Sequence, residues 1–131
     1  MDKQTFEVSS VFAVLPVKDI KESVEWYTTL FGRNPDNQPA PNVAEYYLSE
    51  SKNPEHGTLQ LMIDEERAGG GLATINVSNI EQISGKLAAE DIPFNTRTFP
   101  INEAGDIHVT VGTLIDIDGN SLNIVQPPRL P

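Results

Sequence analysis

The chain reads as an α+β domain of two tandem βαβββ modules, forming a curved mixed sheet with the helices outside and a cleft inside. Two observations predict this. The first is internal self-similarity. Leu15, Val17, Asp19, Ile20 and Glu22 recur at an offset of 60 as Ile75, Val77, Asn79, Ile80 and Gln82, each pair alike in chemistry. Later in each half, Leu59-Gln60-Leu61 is matched by Leu122-Asn123-Ile124 at an offset of 63, a drift of the kind loop insertions produce. The second is element order: each half reads as a strand, a capped helix and about three further strands. Such a unit leaves one helix face and one sheet face to bury, so two units can close their sheets around a cleft.

The elements follow in order. Residues 1–10 are polar and without period, and form a lead-in. Val11–Val17 is an apolar run suited to a buried strand. Asp19 can accept from the free N–H groups of a first helical turn, and Glu22 stands three residues on, which makes a capping box. Ile20, Val24, Tyr27 and Leu30 or Phe31 give the apolar stripe, and Gly32 suits a left-handed C-cap. Asn34–Pro41, with three prolines and three amides, reads as a loop. Ala44–Leu48 is a strand, Ser49–Gly57 a turn, and Thr58–Ile63 an alternating strand. Asp64–Gly71, charged and then triple glycine, links the halves.

The pattern then restarts. Leu72–Val77 is a strand, and Asn79 with Gln82 forms a second capping box before the stripe Ile80, Ile83, Leu87 and Ala88. Ile92–Phe99 is a short strand placed at an edge by Pro93. Pro100–Asp106 is a loop. Ile107–Ile117 is a strand with an irregularity expected at Gly112. Asp118-Gly119-Asn120 tolerates positive φ and signals a hairpin, and Leu122–Val125 closes the module. The organisation expected is one domain over residues 11–126, with modules at about 11–66 and 71–126. Residues 127–131 form a proline-rich tail.

Composition excludes several functions. The chain has 131 residues and no cysteine, so disulfides, thiolate metal sites and cysteine nucleophiles are absent. Its 19 acidic and 9 basic side chains give a formal charge of −10, which repels phosphate backbones and anionic headgroups. Nucleic acid and membrane are therefore not expected partners. No basic-then-apolar segment stands at Met1-Asp2-Lys3-Gln4, and no apolar run approaches the roughly 20 residues that span a bilayer. The expected location is the cytoplasm. Gly69-Gly70-Gly71 is no phosphate loop, since it lacks the lysine and precedes a strand.

Two segments carry a family resemblance. Leu15-Pro16-Val17-Lys18-Asp19-Ile20-Lys21-Glu22-Ser23-Val24-Glu25-Trp26-Tyr27, ending Leu30-Phe31-Gly32, resembles the opening of modules of the vicinal oxygen chelate superfamily, which includes glyoxalases, bleomycin-resistance proteins and extradiol dioxygenases. Asp116-Ile117-Asp118-Gly119-Asn120 is similar to that family's Asp-Pro-Asp-Gly-Asn hairpin, with Ile117 in place of proline. The resemblance covers about residues 11–126. It implies four metal-ligand positions, usually histidine or glutamate, which here fall on Phe12, Gln60, Leu72 and Asn123. Phenylalanine and leucine offer no lone pair, and the amides offer only neutral oxygens. No metal and no other cofactor is therefore expected, and the usual metal-dependent chemistry is removed.

The same positions are expected to face the cleft as an organic-ligand pocket with apolar walls and a few hydrogen-bonding groups. Alternation adds Met62 and Tyr47, so the expected ligand-binding residues are Phe12, Tyr47, Gln60, Met62, Leu72 and Asn123. Trp26 and Tyr27 are assigned to the core, and His56 to a solvated turn. Three functions compete. The first is a metal-free protein that binds a small organic molecule in the cleft. The second is a lyase, isomerase or dioxygenase with a non-standard site around His108, the candidate general base. The third is an interaction module with no ligand. A homodimer is expected from the resemblance.

Overall fold

The computed structural model describes residues 5–128. The first half runs β1 (Phe12–Val17), α1 (Ile20–Phe31), β2 (Asn37–Ala40), β3 (Val43–Tyr47), a 3-10 turn at Pro54–His56, and β4 (Thr58–Ile63). The second half runs β5 (Leu72–Asn76), α2 (Ile80–Ala89), β6 (Thr96–Pro100), β7 (His108–Ile115) and β8 (Ser121–Gln126). Two four-stranded sheets result, in the orders β1-β4-β3-β2 and β5-β8-β7-β6. In each, the first strand runs parallel to the last and the other neighbours are antiparallel. The two halves thus share one topology, as the internal repeat requires.

Local chemistry sets the helix ends. The Glu22 N–H donates to Asp19 Oδ1 at 3.0 Å, and Gly32 closes α1 at φ 72°, its N–H donating to Thr28 O at 2.8 Å. The second helix differs from expectation. Asn79 makes no side-chain cap; its amide donates to Gln82 Oε1 at 3.2 Å. Gln126 Oε1, from β8, accepts from Ile80 N at 2.9 Å instead. A partner 46 residues away thus supplies the cap.

Four further expectations are corrected. Asn34–Pro41 contains β2, an edge strand in which Pro39 costs no central ladder bond. Within Ile92–Phe99, Ile92–Asn95 is not strand, and β6 begins only at Thr96. Gly112 produces no irregularity, pairing in register with Thr96 and Ile124. A Cβ there would stand 2.5 Å from Phe94 Cε1, so the glycine makes room for an aromatic ring. Ala88 lies exposed, off the stripe that Ile80 and Leu87 bury.

The buried cluster draws on both halves: Leu15, Val17, Tyr27, Leu59 and Leu61 with Ile80, Leu87, Leu114, Leu122 and Ile124. A polar junction fixes the halves to each other. Buried Asp116 accepts from Tyr27 Oη at 2.7 Å, from Asn120 Nδ2 at 2.9 Å, and from the backbone N–H groups of Asn120 and Asp118 at 2.8 and 2.9 Å. Asn120 also donates to Pro16 O at 2.7 Å and accepts from Gly71 N at 2.7 Å. Ser23 Oγ donates to Asp118 Oδ2 at 3.2 Å. The 116–120 hairpin of the second half is therefore bonded to α1 and β1 of the first. Burial, then the Asp116 charge and hydrogen bond, push the Tyr27 phenol far above its ordinary value. It stays a donor.

Candidate functional site

Strand alternation gives each sheet two unlike faces. On the first sheet, Leu15, Val17, Tyr46, Leu59 and Leu61 join the core. The opposite face is laid out by register in three rows: Phe12–Thr58–Tyr47, Val14–Gln60–Glu45–Asn37, and Pro16–Met62–Val43. Phe12, Tyr47, Gln60 and Met62, all expected at the site, therefore share this face. On the second sheet Ala73, Ile75, Leu114, Leu122 and Ile124 pack with the core. Its other face carries the rows Leu72–Ser121–Ile115, Thr74–Asn123–Thr113 and Asn76–Val125–Val111–Arg97. Leu72 and Asn123 lie here.

The internal repeat holds at this level too. Gln60 and Asn123 occupy the same place in their sheets, and so do Phe12 and Leu72. Both faces leave apolar side chains in solvent: Val14 is 46% exposed, Met62 36%, Leu72 68% and Ile115 55%.

The central row of the first sheet holds a group that the sequence reading passed over. Glu45 is only 5% exposed. Its Oε2 accepts from Gln60 Nε2 at 2.7 Å, and its Oε1 accepts from Asn37 Nδ2 at 3.1 Å and, more weakly, from Tyr47 Oη at 3.4 Å. Alternation from Tyr47 would have found it, since residues two apart on a strand share a face. Tyr47 is itself fixed through its backbone, its N–H donating to Asp36 Oδ2 at 2.8 Å while its carbonyl accepts from Arg33. In the second sheet, Thr113 Oγ1 donates to Asn123 Oδ1 at 3.1 Å.

These geometries do not fit a metal at the four positions. Phe12 and Leu72 have no donor atom, Gln60 turns its amide nitrogen to Glu45, and the Asn123 oxygen already accepts from Thr113. Among the described residues no three histidine, cysteine, aspartate or glutamate side chains converge to hold an ion.

His108 opens β7 opposite Pro100, on the face shared with Gly112 and Leu114, and is exposed. Asn123 pairs with Thr113, five residues and about 17 Å further along the strand. The structure therefore does not bring His108 to Asn123. His56 is exposed, with Nδ1 3.3 Å from Ser51 Oγ.

A cavity of about 890 Å³ lies elsewhere. It opens on the helix side between the halves, with Leu30, Phe31, Ile83 and Leu87 in its walls and Lys86 and His56 among its polar groups. Phe12 alone of the expected ligand-binding residues reaches it. Its walls belong to the surfaces that dock the halves, and Lys86 Nζ there donates to Leu30 O at 3.4 Å. A second hollow, of about 630 Å³, includes Arg97, Val111, Thr113 and Ile115 of the helix-free face of the second sheet.

Comparison with solved structures bears on this architecture. The glyoxalase/bleomycin resistance protein from Catenulispora acidiphila matches with a TM-score of 0.74 at 21% identity, over 92% of this chain and 100% of that one. The chain has the glyoxalase/bleomycin-resistance fold. A glyoxalase/bleomycin resistance protein/dioxygenase from Alicyclobacillus acidocaldarius matches at 0.68 with 14% identity, over 95% of each chain. The bleomycin-binding protein from Streptomyces verticillus, complexed with copper(II)-bleomycin, matches at 0.66 with 14% identity, over 95% of this chain and 100% of that one. No family model and no curated protein sequence matches the chain. The fold expected from the two sequence segments is thus the fold observed. No helix among the described residues is long and apolar enough to cross a membrane.

Proposed function

We propose that the chain binds a small organic molecule on the helix-free faces of its two sheets, without a metal, and that a second copy of the chain completes the cleft. The observation that carries this reading is the chemistry of those faces. Phe12, Val14, Met62, Leu72 and Ile115 supply apolar wall, and Gln60, Asn37, Tyr47 and Asn123 supply a few hydrogen-bonding groups, the usual make-up of an organic-ligand site. The fold supports it as well, since one protein of this fold is seen in complex with copper(II)-bleomycin. The apolar exposure supports the dimer. Large apolar side chains exposed on both helix-free faces call for a cover. A second chain with the same two faces can cover both in a closed pair.

A thermal-shift titration tests the reading. Purified protein is melted against divalent metals and against a panel of aromatic and cationic organic molecules. A ligand of the native state raises the melting temperature with concentration. The expected result is a shift with an organic compound and none with metals. A shift with one metal that chelator abolishes would overturn the metal-free reading. A monomeric mass in solution at micromolar concentration would overturn the dimer.

A further inference from the structure

We propose that Glu45 anchors a cationic nitrogen of the bound molecule, so that the ligand class is an organic cation with an apolar body. This deepens the binding reading above and rests on it. Glu45 sits in the middle of the helix-free face of the first sheet, in the row Val14–Gln60–Glu45–Asn37. Its three side-chain donors, Gln60, Asn37 and Tyr47, are all neutral. The ion pairs among the described residues are Arg33–Asp36 and Arg67–Asp64, and neither reaches it. A carboxylate taken out of water without a counter-charge is costly, and three neutral donors supply none. The charge therefore has a use beyond holding the strands in register.

The surroundings specify the rest of the ligand. Met62 stands in the next row, diagonal to Glu45, and Val14 lies beyond Gln60 in the same row, so the face offers exposed apolar surface to a ligand body. Tyr47 Oη, at 3.4 Å, is the weakest of the three donors and the one a ligand N–H replaces. Its ring then lies beside the cation, where the aromatic face adds attraction. The net charge of −10 draws cations toward the chain as a whole.

The test uses matched probes on the full chain: benzylammonium against benzyl alcohol, 2-naphthylmethylammonium against 2-naphthalenemethanol, and tryptammonium against tryptophol. Dissociation constants are measured calorimetrically at pH 7 for wild type and for Glu45→Gln, which keeps the size of the side chain. In wild type the ammonium member of a pair binds about tenfold to a hundredfold more tightly, the range of one hydrogen bond to a charged group. In Glu45→Gln that preference disappears. The wild-type comparison stands alone if the variant does not fold. Equal binding of alcohol and ammonium in wild type, or a preference that survives in Glu45→Gln, overturns the role of Glu45 and leaves the binding reading intact. If no probe binds, the cation assignment falls. The binding reading falls with it only if the wider organic panel above also gives no shift.

Discussion

Removing the Asp116 carboxylate should unfasten the two halves of the chain. In Asp116→Ala, three buried donors lose a partner: Tyr27 Oη, Asn120 Nδ2 and the Asn120 backbone N–H. A buried donor left unsatisfied costs about 1–3 kcal/mol, so the variant loses about 3–9 kcal/mol from a total that for a domain of this kind is about 5–15 kcal/mol. Tyr27→Phe removes one bond to a charged acceptor and costs about 1.5–3 kcal/mol. Asp116→Asn puts an amide among donors and costs a similar amount. Because the two residues touch, the double variant Tyr27→Phe/Asp116→Asn should cost less than the two single changes added, with a coupling of about 1–2 kcal/mol. Urea unfolding followed by circular dichroism measures all four. A loss below about 1 kcal/mol in Asp116→Ala, or additivity within about 0.5 kcal/mol in the cycle, would refute the junction.

Three other outcomes follow from the same geometry. Burial raises the phenols of Tyr27 and Tyr46; Tyr27 stays neutral in the fold while its unfolded counterpart ionises near pH 10, so its contribution is full below pH 10 and falls above it by about 1.4 kcal/mol per pH unit. Tyr27→Phe should remove that part of the slope in alkaline urea titrations; an unchanged slope would contradict it. Gly112→Ala forces a methyl group against Phe94 and should cost about 1–3 kcal/mol, less in a Phe94→Leu background, as read from melting midpoints. For the caps, Asp19→Ala should cost about 1 kcal/mol and Asn79→Ala clearly less, whereas Gln126→Ala should behave as the lost cap of α2. Equal costs for Asn79→Ala and Asp19→Ala in urea unfolding would count against that assignment.

What the sequence made legible was local or repeated. The helix stripes, the Asp19 cap, the Gly32 stop and the Asp118-Gly119-Asn120 turn depend on near neighbours, and the offset repeat exposed the shared topology. The misses depend on distant partners. The edge strand β2 contains Pro39, and only its pairing with β3 reveals it. The cap of α2 comes from Gln126 in the last strand, which no pattern near Asn79 signals. Gly112 looked like a break because Phe94, the ring that needs the space, lies in another segment. At the candidate site, alternation placed Gln60 and Met62 on one face. Alternation from Tyr47 puts Glu45 on that face too, but no residue near it in sequence marks it as buried. Its burial follows from the amides of Asn37 and Gln60, which only the register brings to it.

The central claim is that an organic ligand sits on the helix-free sheet faces and needs no metal. Backbone amide NMR of the chain, titrated in the presence of chelator with the organic compound that gives the largest thermal shift, tests it most directly. The account predicts shifts that saturate and centre on Phe12, Gln60, Met62, Leu72 and Asn123. Shifts confined to Leu30, Phe31, Ile83 and Lys86, around the cavity between the helices, would contradict it.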